Sequence, residues 1–315
     1  MSSALRLLAI GEVMAEIRAT DGGSGPAAIA AGPGGGFAVG FAGDTYNTAV
    51  YAARQIGGPG NVAYMTRIGR EPLSDAWMAV AHAEGIDLAN VARDTDRNIG
   101  IYSVSTDAHG ERSFHYWRSQ SAARRLFMVE ETALFMPEAE IIYLSGITLA
   151  ILGQAARERL AALLADRRRG GTLVAFDSNY RPRLWADAAT ARAVMDAFWQ
   201  ITDIALPSMD DEMALYGDAG ETAVIDRFAN RSWRGIAIKR GVRGPLSPQL
   251  DDASHPDFAA AASVIDTTAA GDSFNGAYLA AFLAGEDEAA RLRAGHDLAA
   301  RVVGMPGAII PLDQA

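Results

Sequence analysis

VIDTTAAGDSFNG, residues 264–276, sets a carboxylate at the point where a turn of small residues becomes a helix. After Gly271 the apolar residues recur at helical spacing, and Gly285 predicts the helix stop. Asp272 therefore falls in the first turn of this helix. The backbone N–H groups from Ala270 to Asp272 would face an approaching ligand, and the helix dipole favours an anion there. A base beside an anion site suits phosphoryl transfer, whereas an isolated Gly-Asp pair can equally be an acidic helix start.

Residues 266–274, DTTAAGDSF, resemble the C-terminal signature of the PfkB (ribokinase-like) carbohydrate kinases. In that family the aspartate closing the Ala-Ala-Gly-Asp run is the catalytic base, and Asp272 matches it. The resemblance implies that amides of Ala269, Ala270 and Gly271 offset charge on the transferred phosphate. Further blocks look like the family branch that phosphorylates 2-keto-3-deoxygluconate; they begin at Gly43, Glu111, Tyr143, Asn179, Lys239 and Gly307. Because the blocks keep the expected order, the resemblance covers nearly the whole chain.

The activity implied by this resemblance is ATP-dependent phosphorylation of the terminal C6 hydroxyl of 2-dehydro-3-deoxy-D-gluconate, giving the 6-phosphate and ADP. The family also implies Mg²⁺ and leaves room for a monovalent cation. An alternative is another PfkB sugar kinase, such as a fructokinase or a related keto-sugar-acid kinase. From other classes, the alternatives are a Schiff-base aldolase using Lys239, the only lysine, and a non-catalytic sugar-binding regulator.

Composition agrees with an enzyme built around one large core. The chain has 315 residues, of which 50% are hydrophobic, and we expect a single domain over residues 1–315. A formal net charge of −10 without a basic tract argues against nucleic acid. The lack of cysteine excludes disulfides and thiolate chemistry. The apolar run at residues 5–10 is too short for a signal peptide or membrane span, so we expect a cytoplasmic protein with no membrane partner. We also expect a homo-oligomer.

Short apolar runs alternate with helical patterns along the chain. The runs lie at residues 7–10, 141–144, 173–176, 201–206 and 236–238; the helical patterns lie at 45–56, 75–84, 154–168, 188–199 and 223–229. This alternation predicts an α/β fold with a doubly wound, mostly parallel sheet and helices on both faces, with ligands beyond the carboxyl ends of the strands. Residues 12–42 and 98–118 break the pattern, the second with a hairpin turning near His109-Gly110. In the resembled family these segments form a small β-sheet lid over the sugar.

The nucleotide is expected at the strand exit IKRGVRG, residues 238–244, through Lys239, Gly241 and Gly244 together with Gly271. Gly32–Gly36 is not a Walker loop, because no Lys-Ser or Lys-Thr pair follows it, and a lid turn is the better interpretation. Pro245 and Pro248 interrupt the next segment, where a strand is expected. His296 and Ala300 are candidates for a wall of the adenine site, although a surface histidine explains His296 equally well.

Magnesium is expected to bind through water rather than in a protein cage. SMDDE, residues 208–212, resembles the family's Asn-x-x-Glu motif, with Glu212 as the glutamate that holds the ion through water. Ser208, also assigned to the nucleotide site, replaces the Asn. The alternative is that these acidic residues only charge the first turn of a helix beginning after Pro207.

The sugar site is expected to combine a helix start with two arginines. Gly43, Asp44 and Asn47 lie where the chain leaves the lid, although Asp44 or Thr45 could instead cap the helix. The remaining candidates are Tyr102, Tyr116 and Arg118 on the lid hairpin and Arg181 after the strand at 173–176. Two converging arginines suit a carboxylate, because the guanidinium fork makes charge-assisted bonds, and a neutral hexose does not require them. Arg181 could alternatively meet the transferred phosphate.

Overall fold

The structure, a computed structural model, describes residues 5–19, 36–106, 112–128 and 136–314. Its strands are β1 (Leu7–Ile10), β2 (Met14–Ala19), β3 (Phe37–Ala42), β4 (Val62–Ile68), β5 (Val91–Arg93), β6 (Gly100–Thr106), β7 (Arg112–Trp117), β8 (Ile141–Ser145), β9 (Leu173–Asp177), β10 (Ile204–Ala205) and β11 (Gly235–Ile236). Its α-helices are α1 (Asp44–Ile56), α2 (Pro72–Ala83), α3 (Gly146–Ile151), α4 (Gln154–Arg169), α5 (Ala188–Trp199), α6 (Met209–Tyr216), α7 (Glu221–Ala229), α8 (Ala270–Leu283) and α9 (Glu288–Val302). Strands and helices alternate through most of the chain, as the sequence predicts.

Seven parallel strands form the main sheet, in the order β11-β10-β9-β8-β1-β4-β5. The order runs outward from β1 in both directions, so the switch in strand order falls beside β1. Loops after β1, β8 and β9 therefore open into one crevice, the usual ligand site of such sheets. The predicted doubly wound, mostly parallel sheet is confirmed.

Side chains that alternate along the main strands bury two separate cores. On one face, Leu8, Ile142 and Val174 pack with α4 and α5; on the other, Leu7, Ile141 and Ala175 pack with α1, α2 and α8. Helices thus cover both faces, as expected for an all-parallel sheet. Within the residues that the structure describes, no helix combines the length and apolar character needed to cross a bilayer.

A second sheet has four strands in the order β3-β2-β6-β7. β2 pairs antiparallel with β3 and parallel with β6, and β6 and β7 form the predicted antiparallel hairpin. These strands fall inside the two segments assigned to the lid. The predicted turn at His109-Gly110 and most of the Gly32–Gly36 turn lie outside the described residues.

Several predicted boundaries are wrong. The strand predicted at 201–206 is only β10, because Ile201 and Thr202 bond back to Phe198 and close the end of α5. The strand predicted at 236–238 corresponds to β11, which ends at Ile236. Ile238 instead forms an isolated antiparallel bridge with Leu246, which lies between Pro245 and Pro248. β4, β5 and α3 have no counterpart among the predicted elements.

Helices α1 and α8 cross at very close range. A Cβ on Gly276 of α8 would lie 2.8 Å from Tyr51 Cβ and 2.9 Å from the Thr48 carbonyl oxygen of α1. Only glycine permits this approach, because any side chain would overlap the backbone of the facing helix. The contact sets the distance between the first turns of the two helices.

Candidate active site

The carboxylate of Asp272 lies in the first turn of α8, where the sequence predicts it. Asn47 Nδ2 of α1 donates to Asp272 Oδ2 at 2.8 Å, and the Thr48 hydroxyl donates to the Asp272 carbonyl at 3.1 Å. Asn47 is itself oriented, because its Oδ1 accepts from the Gly43 N–H at 3.3 Å. Desolvation, reinforced by the charge of Asp44, raises the pKa of Asp272 to about 7. Such a carboxyl group exchanges a proton near neutral pH, which suits a general base.

In the turn before Asp272, one of the backbone N–H groups that the sequence predicts to be free has a hydrogen-bond partner. Ala269 adopts a left-handed conformation, with φ of 61°, and precedes the first helical residue. The Ala270 N–H donates to the Thr267 carbonyl at 3.3 Å, so this amide already has a partner. The expectation of a free N–H at Ala270 is therefore wrong, because the residues before α8 form a hydrogen-bonded turn of their own.

Asp44 begins α1 and faces the same crevice. Gly43 is the N-cap and no side chain caps the helix, so the cap role considered for Asp44 or Thr45 is wrong. Asp44 Oδ2 instead accepts hydrogen bonds from the Ser145 hydroxyl and from Asn179 Nδ2, the latter at 2.8 Å. Desolvation raises the pKa of Asp44, and the Ser145 hydrogen bond opposes this rise. The carboxylate is thus held in place at the ends of β8 and β9.

Gly43 fits against the segment that joins the two sheets. A Cβ at this position would lie 2.2 Å from the Glu12 carbonyl oxygen. Gly43 therefore lets the backbone at the start of α1 approach the chain between β1 and β2 closely.

Lys239 lies beside the turn that carries Asp272. Its Nζ donates to Asp177 Oδ2 at 2.6 Å and to Asn275 Oδ1 at 3.1 Å. Nζ is also 3.8 Å from the position that a Cβ on Gly271 would occupy. Asn275 Nδ2 donates to Asp177 Oδ2 at 2.7 Å, which closes the network. A cation therefore lies at the helix N-terminus where the sequence predicts an anion site.

The charges of the two arginines proposed for the sugar carboxylate both reach Tyr116, and Arg118 Cζ lies 5.9 Å from the centroid of its ring. Burial raises the pKa of Tyr116, and the positive charges of Arg118 and Arg181 both oppose that rise. Arg118 is 9% exposed and forms an ion pair with Glu12, whereas the half-exposed Arg181 pairs with Asp211 at 3.2 Å. Both guanidinium groups therefore have protein partners.

The remaining lid candidates differ in exposure. Tyr102 is buried, and its hydroxyl donates to Glu16 Oε2, so this hydroxyl already has an internal acceptor. Tyr116 is 52% exposed and lies 5.7 Å from Tyr102 between ring centroids. Of the two, only Tyr116 presents much of its surface to a ligand.

The glycines assigned to the nucleotide follow β11. Gly241 and Gly244 both have positive φ, 57° and 73°, and a Cβ on Gly244 would lie 2.4 Å from Phe258. The Phe258 ring packs against His296 with centroids 4.9 Å apart. Next to it is an open cavity of about 600 Å³ between residues 259–263 and α9, with Ala300 in its wall. Its lining mixes alanines with Asp297 and Arg301, and Ala300 is the one proposed adenine-site residue among the lining residues that the structure describes.

Ser208 and Glu212 lie at the start of α6, whose first turn holds the predicted acidic residues. Ser208 forms an isolated parallel bridge with Lys239. Glu212 is fully buried, and Arg227 Nη1 lies 3.5 Å from its Oε2. Burial raises the pKa of Glu212 to about 8, and a Ser178 side-chain hydrogen bond and the charge of Arg227 oppose this rise. No cluster of three or more His, Asp or Glu among the described residues could hold a metal alone, so a magnesium ion at this position would be held largely through water.

Several residues of this site are absent from the predicted set. They are Glu12, Thr48, Ser145, Asp177, Asn179 and Asn275. Ser145 and Asp177 end β8 and β9, and Asn179 follows shortly after, so the rule that ligands bind at the carboxyl ends of parallel strands could have selected them. Asn275 could have been found one helical turn after Asp272, on the same face.

The comparisons with known proteins agree with this architecture. The model of the family described as pfkB family carbohydrate kinase matches residues 4–315. The chain is 40% identical over 280 residues to 2-dehydro-3-deoxygluconokinase of Escherichia coli K12, covering 86% of this chain and 90% of that protein. It is 38% identical over 285 residues to the 2-dehydro-3-deoxygluconokinase of Dickeya dadantii, covering 87% and 91%.

Among solved structures, an E. coli protein assigned as ribokinase II, in complex with ATP and Mg²⁺, superposes with a TM-score of 0.76 at 21% identity. The match covers 96% of this chain and 94% of that one, and shows that the two proteins share a fold. Because the family model matches almost the entire length of the chain, the chain belongs to the pfkB family of carbohydrate kinases.

Proposed function

We propose that the chain transfers the γ-phosphate of ATP to the C6 hydroxyl of 2-dehydro-3-deoxy-D-gluconate, giving the 6-phosphate and ADP, with Asp272 as the general base. The observation that carries this proposal is the geometry at Asp272. Its carboxylate is held by Asn47 in the first turn of a helix, with the Lys239 ammonium beside Gly271. A positioned base next to a site for phosphate is what phosphoryl transfer to an alcohol requires.

In this mechanism Asp272 accepts the proton of the C6 hydroxyl as the hydroxyl oxygen attacks the γ-phosphorus and the bond to the β-phosphate oxygen breaks. The pKa of about 7 lets the carboxylate be ionised before the step and protonated after it. Asn47 fixes the direction of the accepting oxygen. Asp44 and Asn47 would bind sugar hydroxyls from the start of α1.

Charge on the transferred group is balanced by fixed groups of the chain. Lys239, held by Asp177 and Asn275, lies within reach of a phosphate at the start of α8, and the amides of Gly271 and Asp272 face the same point. Ser208, Gly241 and Gly244 would contact the nucleotide, and Glu212 would hold the water shell of Mg²⁺. When bound, Mg²⁺ would neutralise part of the phosphate charge.

The choice of a sugar acid rests on the arginines and on the relatives. Arg118 and Arg181 both act on the Tyr116 hydroxyl, so a ligand against that tyrosine would meet two guanidinium groups. The E. coli and Dickeya relatives carry the name 2-dehydro-3-deoxygluconokinase. The four-stranded sheet, including Tyr102 and Tyr116, would form the lid that excludes water from the transfer.

The test is an ADP-release assay with ATP and Mg²⁺ across keto-deoxy sugar acids and neutral sugars. We expect kcat/KM for 2-dehydro-3-deoxy-D-gluconate to exceed that for fructose by at least 100-fold. Phosphate position in the product is read by ³¹P–¹H correlation NMR, and we expect coupling to the C6 protons. Equal efficiency on fructose, or phosphate at another carbon, would overturn the proposed substrate or regiochemistry.

A fructokinase is the second candidate, because none of the side chains of Asp44, Asn47 and Asp272 requires the substrate to carry a carboxylate. The same assay separates it from a sugar-acid kinase. The aldolase alternative is disfavoured by geometry, since the amine of Lys239 is engaged with Asp177 at 2.6 Å. Borohydride trapping with pyruvate should therefore give no adduct on Lys239.

A further inference from the structure

Glu12 is a buried carboxylate that has no role in the transfer chemistry described above. It lies between the end of β1 and the start of β2, where the main sheet passes into the four-stranded sheet, and it is 2% exposed. Burying a carboxylate is costly unless it is paired, so its partners indicate what it does.

Those partners are the two ends of one turn. Glu12 Oε2 forms an ion pair with Arg118 Nη2, and Glu12 Oε1 accepts a hydrogen bond from the Ser121 hydroxyl. The Ser121 N–H donates to the Arg118 carbonyl at 3.1 Å, which closes the turn that follows β7. A Cβ on Gly100 would lie 3.1 Å from Glu12 Oε1 and 3.4 Å from Arg118 Cβ, so the pair is also packed from the side of β6. Glu12 thus fixes both the turn and the guanidinium.

The charges around Arg118 show why such fixing matters. Burial raises the pKa of Asp44, and Arg118 is one of the groups whose charge opposes that rise, so Arg118 lies within electrostatic reach of a second carboxylate. A guanidinium released from Glu12 would be drawn towards Asp44, which is proposed to bind a sugar hydroxyl. The ion pair is made through Nη2, and a guanidinium carries a second terminal nitrogen, Nη1, that could donate to another acceptor.

We propose that Glu12 is a positioning residue that holds Arg118 for the substrate carboxylate and thereby sets the preference for sugar acids over neutral sugars. This inference rests on the proposed function, in which Arg118 binds that carboxylate. Glu12 acts through Arg118 and does not touch the substrate. Its removal should therefore impair recognition of the acid and leave recognition of ATP unchanged.

The decisive experiment is a double-mutant cycle with Glu12→Ala and Arg118→Ala. Kinetics are measured with ATP on 2-dehydro-3-deoxy-D-gluconate and on the neutral 3-deoxyhexulose that has a hydroxymethyl group in place of the carboxylate. We expect Glu12→Ala to raise KM for the acid at least 10-fold, with KM for ATP and kcat/KM for the neutral sugar within 3-fold of the wild type. In the Arg118→Ala background, the second substitution should add less than 2-fold, because its target is gone.

Glu12→Gln tests whether the position tolerates loss of charge. Glutamine can still accept from Arg118 while keeping its shape, so it should recover part of the loss in KM for the acid. Glu140→Gln is the matched control, since Glu140 pairs with Arg6 at 2.7 Å on the surface, and should leave all constants unchanged. Thermal midpoints of all variants are measured, and if Glu12→Ala does not fold, Glu12→Gln takes its place in the cycle.

The outcomes separate this inference from the proposed function. Multiplicative losses in the cycle, or equal losses on the acid and on the neutral sugar, would overturn the positioning role of Glu12 while leaving the kinase assignment intact. If Arg118→Ala itself does not change KM for the acid, the carboxylate contact fails, and the role of Glu12 fails with it.

Discussion

The side-chain amide of Asn47 donates a hydrogen bond of 2.8 Å to the carboxylate of Asp272, 225 residues away in the chain. Asn47 also accepts from the Gly43 N–H, so the start of α1 aims the amide at α8. The proposed base is therefore oriented by the same helix start that is proposed to bind the sugar.

Asp272→Asn should leave binding of sugar and ATP nearly intact while kcat falls by roughly 10²–10⁴, the usual contribution of a positioned general base. The amide keeps the shape of the carboxylate but cannot accept the proton. Isothermal titration measures both affinities, and single-turnover kinetics measures the transfer step. If the variant keeps more than about a tenth of wild-type turnover, Asp272 is at most a structural element of the helix start.

The pH profile of kcat/KM should rise with unit slope below about pH 7 and level off above it, because the ionised form of Asp272 is the active one. The Asn47 hydrogen bond lowers the pKa of Asp272, so Asn47→Ala should move the acidic limb to higher pH. Asn230→Ala is the control, since its side-chain amide donates to the Asp226 carbonyl at the end of α7. If the acidic limb stays at the same pH in Asn47→Ala, the ionisation of Asp272 is not its cause.

Lys239→Met should lower kcat by roughly 10²–10³, because a fixed cation that meets developing charge is lost. KM for the sugar should change little. Lys239→Arg keeps the charge but not the compact ammonium, and should recover only part of the rate.

Arg118→Ala should raise KM for the sugar acid by an amount corresponding to roughly 2–4 kcal/mol, because a desolvated carboxylate loses a charged partner. Arg118→Lys should restore part of this, since lysine lacks the planar fork. Arg181→Ala should also lower kcat if Arg181 meets the phosphate. Steady-state constants for both substrates sort the two roles, and equal weakening of sugar and ATP in Arg118→Ala would contradict the carboxylate role.

Gly43→Ala should destabilise the fold by about 1–3 kcal/mol, because its Cβ would overlap the Glu12 carbonyl. Gly220→Ala is the matched control: this glycine precedes α7 in an extended conformation, and a Cβ there meets nothing within 4 Å. Urea denaturation followed by circular dichroism measures both. Equal free energies of unfolding for the two variants would mean that the segment between the two sheets accommodates the added Cβ without loss of stability.

Periodicity was sufficient to predict the parallel strands whose residues are all apolar, such as β1. It did not reveal β4, where Thr66 and Arg67 interrupt the apolar run. Arg67 is nevertheless buried, and its charge is balanced by Asp94 at 3.4 Å. A buried ion pair of this kind leaves no trace in a hydrophobic pattern, because its partner lies 27 residues further along.

For the site, the motif predicted Asp272 and its place in the helix, whereas the partners of the other charges required the fold. Lys239 meets Asp177 across 62 residues, and Arg118 meets Glu12 in the segment that connects the two sheets. Such pairings depend on which strands are neighbours, and strand order is not encoded locally. The sequence therefore predicted candidate site residues better than it predicted which charged residues pair with each other.

The close crossing at Gly276 bears on what can move during a catalytic cycle. Because α1 and α8 touch backbone to backbone, Asn47, Thr48 and Asp272 belong to one rigid block. If Asp272 is the base, as proposed, it is aimed before either substrate arrives, and its alignment would cost no reorganisation at the moment of transfer. Under the same proposal, closure would be a motion of the four-stranded sheet, which would bring Tyr116 and Arg118 to a base that is already in place.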